Sequence, residues 1–257
     1  MISQQTDNEV PGDGGGLHRR MLDAVGEAIA AGRYEPGRRL TLDELQREFG
    51  VSRTVARDTM RALETINLVT SRRRVGIVVQ DPARWNVYDP QLVRWRLASP
   101  RRDEQYASLT ELRIAVEPLA AAGAARRASG TERRELTRIA AELRRLGEAG
   151  DLNAFLDADI AFHRLILTSS GNEMFAALEG MVTEVLTSRT RQGRMPFRPR
   201  EEALEAHERA AAAIARGNAN DAEAALRDIL HEVRGALPGV SGTDSPPHDQ
   251  LGYTNSP

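Results

Sequence analysis

The sequence predicts a small α+β module followed by an all-α antiparallel helical bundle. Three observations carry that prediction. Residues 41–79 place two short helical patterns on either side of a glycine, and two strand-like runs follow them. From Leu109 to Leu237 apolar residues recur at helical spacing in an alanine-rich background, with no strand pattern of useful length. Between the two, Gln80-Asp81-Pro82 reads as a hinge, because proline stops the last strand.

Taken in order, residues 1–16 are polar and glycine-rich and are expected to be disordered. An amphipathic helix is expected over Leu17–Ala31, with Met21, Val25 and Ile29 four residues apart. Gly32 ends it, and Tyr34-Glu35-Pro36-Gly37 is a turn. Leu42, Leu45 and Phe49 mark the buried face of a second helix. Gly50 stops that helix, and Ser52 is placed to cap the third. Val55, Met60 and Leu63 supply the third helix's buried side, while Arg53, Arg57 and Arg61 repeat every four residues on another face. Leu68-Val69-Thr70 and Gly76-Ile77-Val78-Val79 read as strands, with Ser71-Arg72-Arg73-Arg74 at the tip between them. Two helices around a tight turn with a basic hairpin behind them make a winged helix-turn-helix.

The expected division is a winged helix-turn-helix at 17–80, a linker and connecting helix at 81–104, and a helical domain at 105–238. A Gly/Ser/Pro-rich tail at 239–257 is expected to be disordered. Helices are expected at 87–98, 106–128, 131–149, 151–169, 172–192, 200–216 and 219–236. Short helices joined by short breaks favour an antiparallel bundle. Trp85 and Trp95, the only tryptophans, are expected to anchor the linker by packing rather than to touch a ligand.

The 257 residues suit two domains, each able to bury its own core. A net charge of −2 excludes a globally basic coat. The charge is uneven, however: Leu17–Val79 holds 12 arginines against 8 acidic residues. All 35 basic residues are arginine, whose planar fork suits phosphate and guanine. With no cysteine, disulfides and thiolate metal sites are excluded. No apolar run approaches the roughly 18 residues of a membrane span. The first residues lack the basic-then-apolar order of a secretory signal, so a cytoplasmic location is expected.

On the third helix, Arg53, Thr54 and Arg57 lie on the first turns, where side chains reach base edges in the major groove. Ser52 and nearby amides suit a phosphate. Arg72, Arg73 and Arg74 suit the minor groove or the backbone. An isolated RxxxR is usually a solvated face. Here it follows a buried helix, a tight turn and a cap, and that conjunction favours double-stranded DNA as partner. In DADIAFHRLIL, Asp159 and His163 share one helical face, and His207 on a later helix can converge on them across the core. Such residues share a metal ion, or Asp159 simply pairs with His163. Asn172 reads as a helix cap.

The run GVSRTVARDTMRALETINLV, with the basic wing and GIVV, resembles the winged-helix domain of the GntR family of bacterial transcription regulators. That family usually carries proline or threonine where Val55 stands and valine where Ala56 stands. The resemblance implies DNA contacts by Ser52, Arg53, Thr54, Arg57 and the wing around Gly76. LTELRIAVEPLAAAGAARRA, FLDADIAFHRLILTSSGN and EAHERAAAAIARGNANDAEAAL resemble the all-helical effector domain of the FadR-type branch, the FCD domain. There an aspartate and three histidines commonly hold a divalent metal, zinc or nickel, which with an arginine engages a small carboxylate. Asp159, His163 and His207 match three of those ligand positions. The fourth falls on Ile229, and His231, two residues on, is about 200° around the helix. Two readings stay open: an open metal site completed by water or a bound acid, and a metal-free pocket bonding the effector directly.

The resemblance also makes Arg113 the candidate for the effector's carboxylate, against a plain surface pair with Glu117. The Trp85–Trp95 pattern resembles galactonate-operon repressors of this branch, which implies a sugar acid. The expectation is therefore a homodimeric, effector-controlled DNA-binding regulator, a repressor, and not an enzyme. The rival reading is a metal-dependent hydrolase in which Asp159, His163 and His207 activate water.

Overall fold

A computed structural model describes residues 14–72, 76–193 and 198–235. The N-terminal module contains α1 (Gly14–Ala30), β1 (Arg39–Leu40), α2 (Leu42–Phe49), α3 (Arg53–Thr65), β2 (Val69–Arg72) and β3 (Gly76–Val79). Local chemistry sets its helix ends. The Thr41 hydroxyl accepts from Glu44 N, and the Glu44 carboxylate accepts from Thr41 N at 2.9 Å, a reciprocal cap on α2. Gly50 ends α2 at φ 63°, and Ser52 Oγ accepts from Val55 N at 3.3 Å to open α3. Asn67, at φ 60°, turns the chain from α3 into β2.

The sheet is antiparallel in the order β1-β3-β2, with Val69 opposite Val79 and Arg72 opposite Gly76. The two-residue β1 is missing from the sequence reading, because so short a run has no period to detect. Gly14–Gly16, expected to be disordered, add a turn to α1, since extending an anchored helix costs little once it is nucleated. The rest of 1–16 and the tail at 239–257 lie outside the described residues. In α3 the centre of the buried side is Ala56, fully buried beside Met60 and Leu63, while Val55 sits at the edge.

A module of this size buries little apolar surface by itself. It recruits both tryptophans from beyond the hinge. After a 3-10 turn at Pro82–Arg84, Trp85 folds back into the core of the module and donates from Nε1 to Gln80 O at 3.1 Å. α4 (Pro90–Leu97), capped by Asp89, inserts Leu92 and Trp95 into the same core. Trp95 Nε1 donates to Asp23 Oδ1 on α1 at 2.9 Å. Both tryptophans are thus structural anchors.

The bundle is built from α5 (Arg102–Arg127), α6 (Gly130–Ala149), α7 (Leu152–Ser169), α8 (Glu173–Ala176), α9 (Glu179–Arg191), α10 (Glu201–Arg216) and α11 (Ala219–Gly235). Buried alanines on α5, α10 and α11, such as Ala121, Ala210 and Ala222, let these helices approach closely, and leucines and Phe162 fill the remaining space. α5 begins a turn earlier than expected, because the Ser99 carbonyl accepts from Arg102 N at 3.1 Å and starts it. The helix expected over 172–192 is broken at Ala177-Leu178. The break turns α9 onto α4, where a Cβ on Gly180 would lie 2.7 Å from Pro90 Cγ.

An equally close fit joins α1 to α4. A Cβ on Gly26 would meet the Trp95 ring at 2.5 Å. The ring is fully buried and has nowhere to retreat. Gly26→Ala is therefore expected to destabilise the protein by about 1–3 kcal/mol, lowering Tm by several degrees in differential scanning calorimetry. An unchanged Tm would show that the indole can repack.

Candidate nucleic-acid interface and buried polar pocket

The basic residues of α3 face solvent. Ser52, Arg53, Thr54, Arg57 and Arg61 are all exposed, on the side opposite Ala56, Met60 and Leu63. Arg53 Nη1 lies 3.4 Å from Asp43 Oδ1 at the start of α2, with both side chains more than two-thirds exposed. Such a pair is worth little in water and yields readily to a phosphate or a base. Arg61 pairs loosely with Asp58 at 3.6 Å, and Arg57 makes no ion pair among the described residues. The Glu64 carboxylate accepts from Ser71 N, stapling the hairpin to α3.

Between α3 and the hairpin lies a cleft of ≈ 490 Å³ lined by Arg53, Arg57, Arg61, Arg72 and Gly76. Gly76 has φ 98°, and a Cβ there would lie 3.3 Å from Leu40 O. Arg73 and Arg74, assigned to the wing tip, lie outside the described residues. The sequence reading missed Asp43 as the acid beside Arg53, since ten residues and a turn separate them.

The second site is inside the bundle. α5 supplies Arg113 and Glu117, α7 supplies Asp159 and His163, and α10 supplies His207; all five are at most 5% exposed. Arg113 Nε donates to Glu117 Oε1 at 2.5 Å, and its Nη2 reaches Glu117 Oε2 at 3.4 Å. The same Oε2 bonds His163 Nδ1 at 2.6 Å. Asp159 Oδ1 then lies 3.4 Å from His163 Nε2 and 3.3 Å from His207 Nε2. His207 Nδ1 donates to Ala203 O at 2.7 Å, one turn back on α10. Arg113, Glu117, His163, Asp159 and His207 therefore form one buried chain of charge.

The electrostatics follow from that geometry. Burial pushes the Glu117 carboxyl up, but the Arg113 guanidinium and the His163 imidazole bring it down to about 2. Burial alone would lower the His163 imidazole, yet Glu117, together with the hydrogen bond to Asp159, raises it to about 9. Asp159 is held well below the usual carboxylate range by its two histidines, against burial. Arg189 of α9 also lines this pocket; burial pulls it down, and Asp159 opposes that.

The donor set fits a divalent metal. Asp159, His163 and His207 offer ligand atoms within 4.8 Å of one another. A tetrahedral ion with bonds of about 2.0–2.1 Å sets its ligands roughly 3.3–3.4 Å apart, as the two Asp159–histidine separations are. Because His207 Nδ1–H is committed to a carbonyl, Nε2 faces the Asp159 oxygen as a second acceptor, so a proton or a cation must lie between them. Glu117 and Ala203 fix the two rings from behind, as outer-shell partners of metal histidines do. Ile229 of α11 lines the same cavity, and His231 is exposed. Asn172 caps α8, its Oδ1 accepting from Met174 N at 2.9 Å.

Sequence reasoning missed Glu117 and Arg189 as pocket residues. The i,i+4 spacing of Arg113 and Glu117 was visible, but as a surface pair; its burial was not.

Comparison with known proteins matches residues 17–79 to the family of bacterial regulatory proteins described as gntR, and residues 108–232 to the FCD domain. The galactonate operon transcriptional repressor of Escherichia coli is 30% identical over 160 residues, spanning 62% of this chain and 69% of that protein. The transcriptional regulator LutR of Bacillus subtilis is 28% identical over 82% of this chain and 96% of its own length. Among solved structures, Lar, which controls expression of the Listeria monocytogenes agr system, superposes with TM-score 0.56 at 18% identity, covering 88% of this chain and 96% of that one. The hydrolase reading finds no support: both families and these relatives are regulators. Glu117, the carboxylate behind His163, is also occupied by Arg113.

Removing the Glu117 charge strands two buried cations. Glu117→Gln is expected to cost about 3–5 kcal/mol in urea unfolding of chelator-treated protein. The pH dependence has a fixed sign. His163 titrates near 9 when folded against 6.5 ordinarily, so its contribution is complete below pH 6.5 and is lost as pH rises towards 9. Unfolding midpoints across that window should fall in the parent protein and flatten in the variant.

Proposed function

The chain belongs to the GntR family of bacterial regulatory proteins, with an FCD domain behind its DNA-binding module, and on that premise we propose an effector-controlled repressor. It is a transcriptional regulator of the GntR/FCD type and not an enzyme. The proposal adds a ligand, a site and a switch. The effector is a small carboxylic or sugar acid bound at Arg113, Asp159, His163 and His207. The observation that carries this reading is the burial of those four side chains around one small cavity. Burying so much charge in a bundle is costly for stability alone and is more often found where a ligand is bound.

Arg113 keeps Nη1 uncommitted by any hydrogen bond among the described residues, and it lines the cavity with Arg189. Two guanidinium forks there can meet a carboxylate. Asp159, His163 and His207 would hold a zinc or nickel ion, which when bound supplies a positive centre for the same acid. Ile229 leaves the fourth corner without a protein ligand. The Escherichia coli relative is the repressor of the galactonate operon, which supports an aldonate-like acid as effector.

The route to DNA runs along α9 and α4. α9 carries Arg189 at the cavity and Glu184 towards Arg94 of α4, 3.8 Å away. Arg94 holds Asp23 of α1 at 3.2 Å, and Trp95 holds the same carboxylate. A tilt of α9 on binding would therefore move α1 and the reading helix α3. In a homodimer assembled through the helical domain, that changes the spacing of two reading helices on a palindromic operator. An effector that weakens operator binding a hundredfold needs about 2.7 kcal/mol of preference for the released geometry, within the usual range of allosteric coupling.

Ser52, Arg53, Thr54, Arg57 and the wing at Arg72 and Gly76 are assigned to DNA. Arg53→Ala and Arg57→Ala should each remove about 1–3 kcal/mol of discrimination for a selected operator in gel-shift titrations, with unchanged circular dichroism. Equal affinity of both variants and the parent for that operator would defeat the assignment. For the effector, thermal-shift screening against sugar acids, with and without zinc or nickel, should find one that raises Tm and weakens operator binding. An acid that binds tightly yet leaves operator affinity unaltered would sink the switch.

A further inference from the structure

A second cavity lies away from the bundle pocket, at the joint between the two modules. It has a volume of ≈ 320 Å³, within the range of small-molecule sites. Its floor comes from the DNA-binding module and hinge: Ile29 at the end of α1, Pro36 of the following turn, and Trp85. Its rim comes from the end of α4, the turn after it and the start of α5: Arg96, Arg101, Glu104 and Gln105. One wall is therefore apolar and the other charged, with Glu104 offset by Arg101 and Arg96 left over as a net positive charge, and each wall belongs to a different module.

Arg96 is the unusual member. It is half-buried, its guanidinium carbon sits 5.2 Å from the Trp85 ring centre, and Nη1 donates to the neutral Gln105 Oε1 at 3.2 Å. Among the described residues it makes no ion pair. The nearby carboxylate, Glu104, is claimed by Arg101 through Nε and Nη2 at 3.0 and 2.8 Å. Burial lowers the Arg96 guanidinium from its ordinary value, and the repulsion of Arg101 outweighs the pull of Glu104. A partly desolvated cation whose nearby carboxylate is bonded to another arginine is only partly compensated, and an anion entering the cavity relieves that cost.

We propose that the joint cavity is a binding site for a small organic anion, with an apolar body against Ile29, Pro36 and Trp85 and an acid head on Arg96. A small apolar body suits the proline wall and the part of Trp85 that reaches the cavity, and a carboxylate suits the planar fork of Arg96. Because its two walls come from different modules, the bound anion ties α1 to α5 and restrains the DNA-binding module relative to the bundle. This site is separate from the one at Arg113 and His207, and it stands whether or not that pocket takes an acid.

Benzoate is the probe, with uncharged benzamide as its control, on the full chain. Calorimetry should detect benzoate binding, with affinity at least about tenfold weaker for benzamide and for Arg96→Gln. Hydrogen exchange should show protection by benzoate at residues 27–36 and 96–108. Ser108→Trp fills the cavity mouth from an exposed position on α5 and leaves Arg96 in place; it too should lose binding. Benzoate failing to bind the parent protein would overturn the proposal. So would binding retained by both variants, or protection confined to the helices around Arg113 and His207.

Discussion

The seat of Trp95 on α1 is the contact on which the rest of the molecule depends. Its indole lies on the bare backbone of Gly26 and gives its N–H to Asp23. A glycine is needed there because any side chain would occupy the space of the ring. An aspartate is needed because a buried indole N–H without an acceptor is costly. Through this one side chain α4 belongs to the core of the DNA-binding module while its other side packs on α9. The two modules are therefore not beads on a string. Movement of one must strain or carry the other.

The bundle pocket rests on a comparable economy. Glu117 holds Arg113 with one oxygen and both Arg113 and His163 with the other, so a single carboxylate orients both a carboxylate-binding fork and an imidazole. His207 is oriented independently, by a carbonyl of its own helix. The two rings can then face Asp159 from α7 and α10 without contact between those orienting groups. A pocket arranged this way is preorganised before any ligand arrives.

Much of this was legible in the sequence. The winged module was readable because its signals are local: apolar residues at helical spacing, a helix-stopping Gly50, a cap at Ser52, and arginines at a spacing of four. The bundle was readable as a class because a period of 3.6 survives in long segments. What was not legible depends on distance. The two-residue β1 exists only because β3 offers it a partner. The break before Glu179 follows from where α4 lies. The Arg113–Glu117 spacing looked the same whether exposed or buried, and only the arrival of α7 and α10 buries it. His163, Asp159 and His207 could be grouped in advance because Asp159 and His163 share a helical face, and the resemblance to the FCD domain strengthened the link to His207. Glu117 and Arg189 could not, because no local pattern marks a residue that meets its partners across a bundle.

The exposed face of α3 and the hairpin draws its positive charge from guanidinium groups alone, at Arg53, Arg57, Arg61 and Arg72. A guanidinium keeps its charge across the whole physiological pH range. It also lacks the primary amine that acetylating enzymes neutralise. The charge offered to the phosphate backbone is thus constant, out of reach of acidity and of lysine-directed modification. The positive groups themselves cannot be switched off by acidity or acetylation, which gives weight to mechanical control, exercised through where the rest of the chain holds the face.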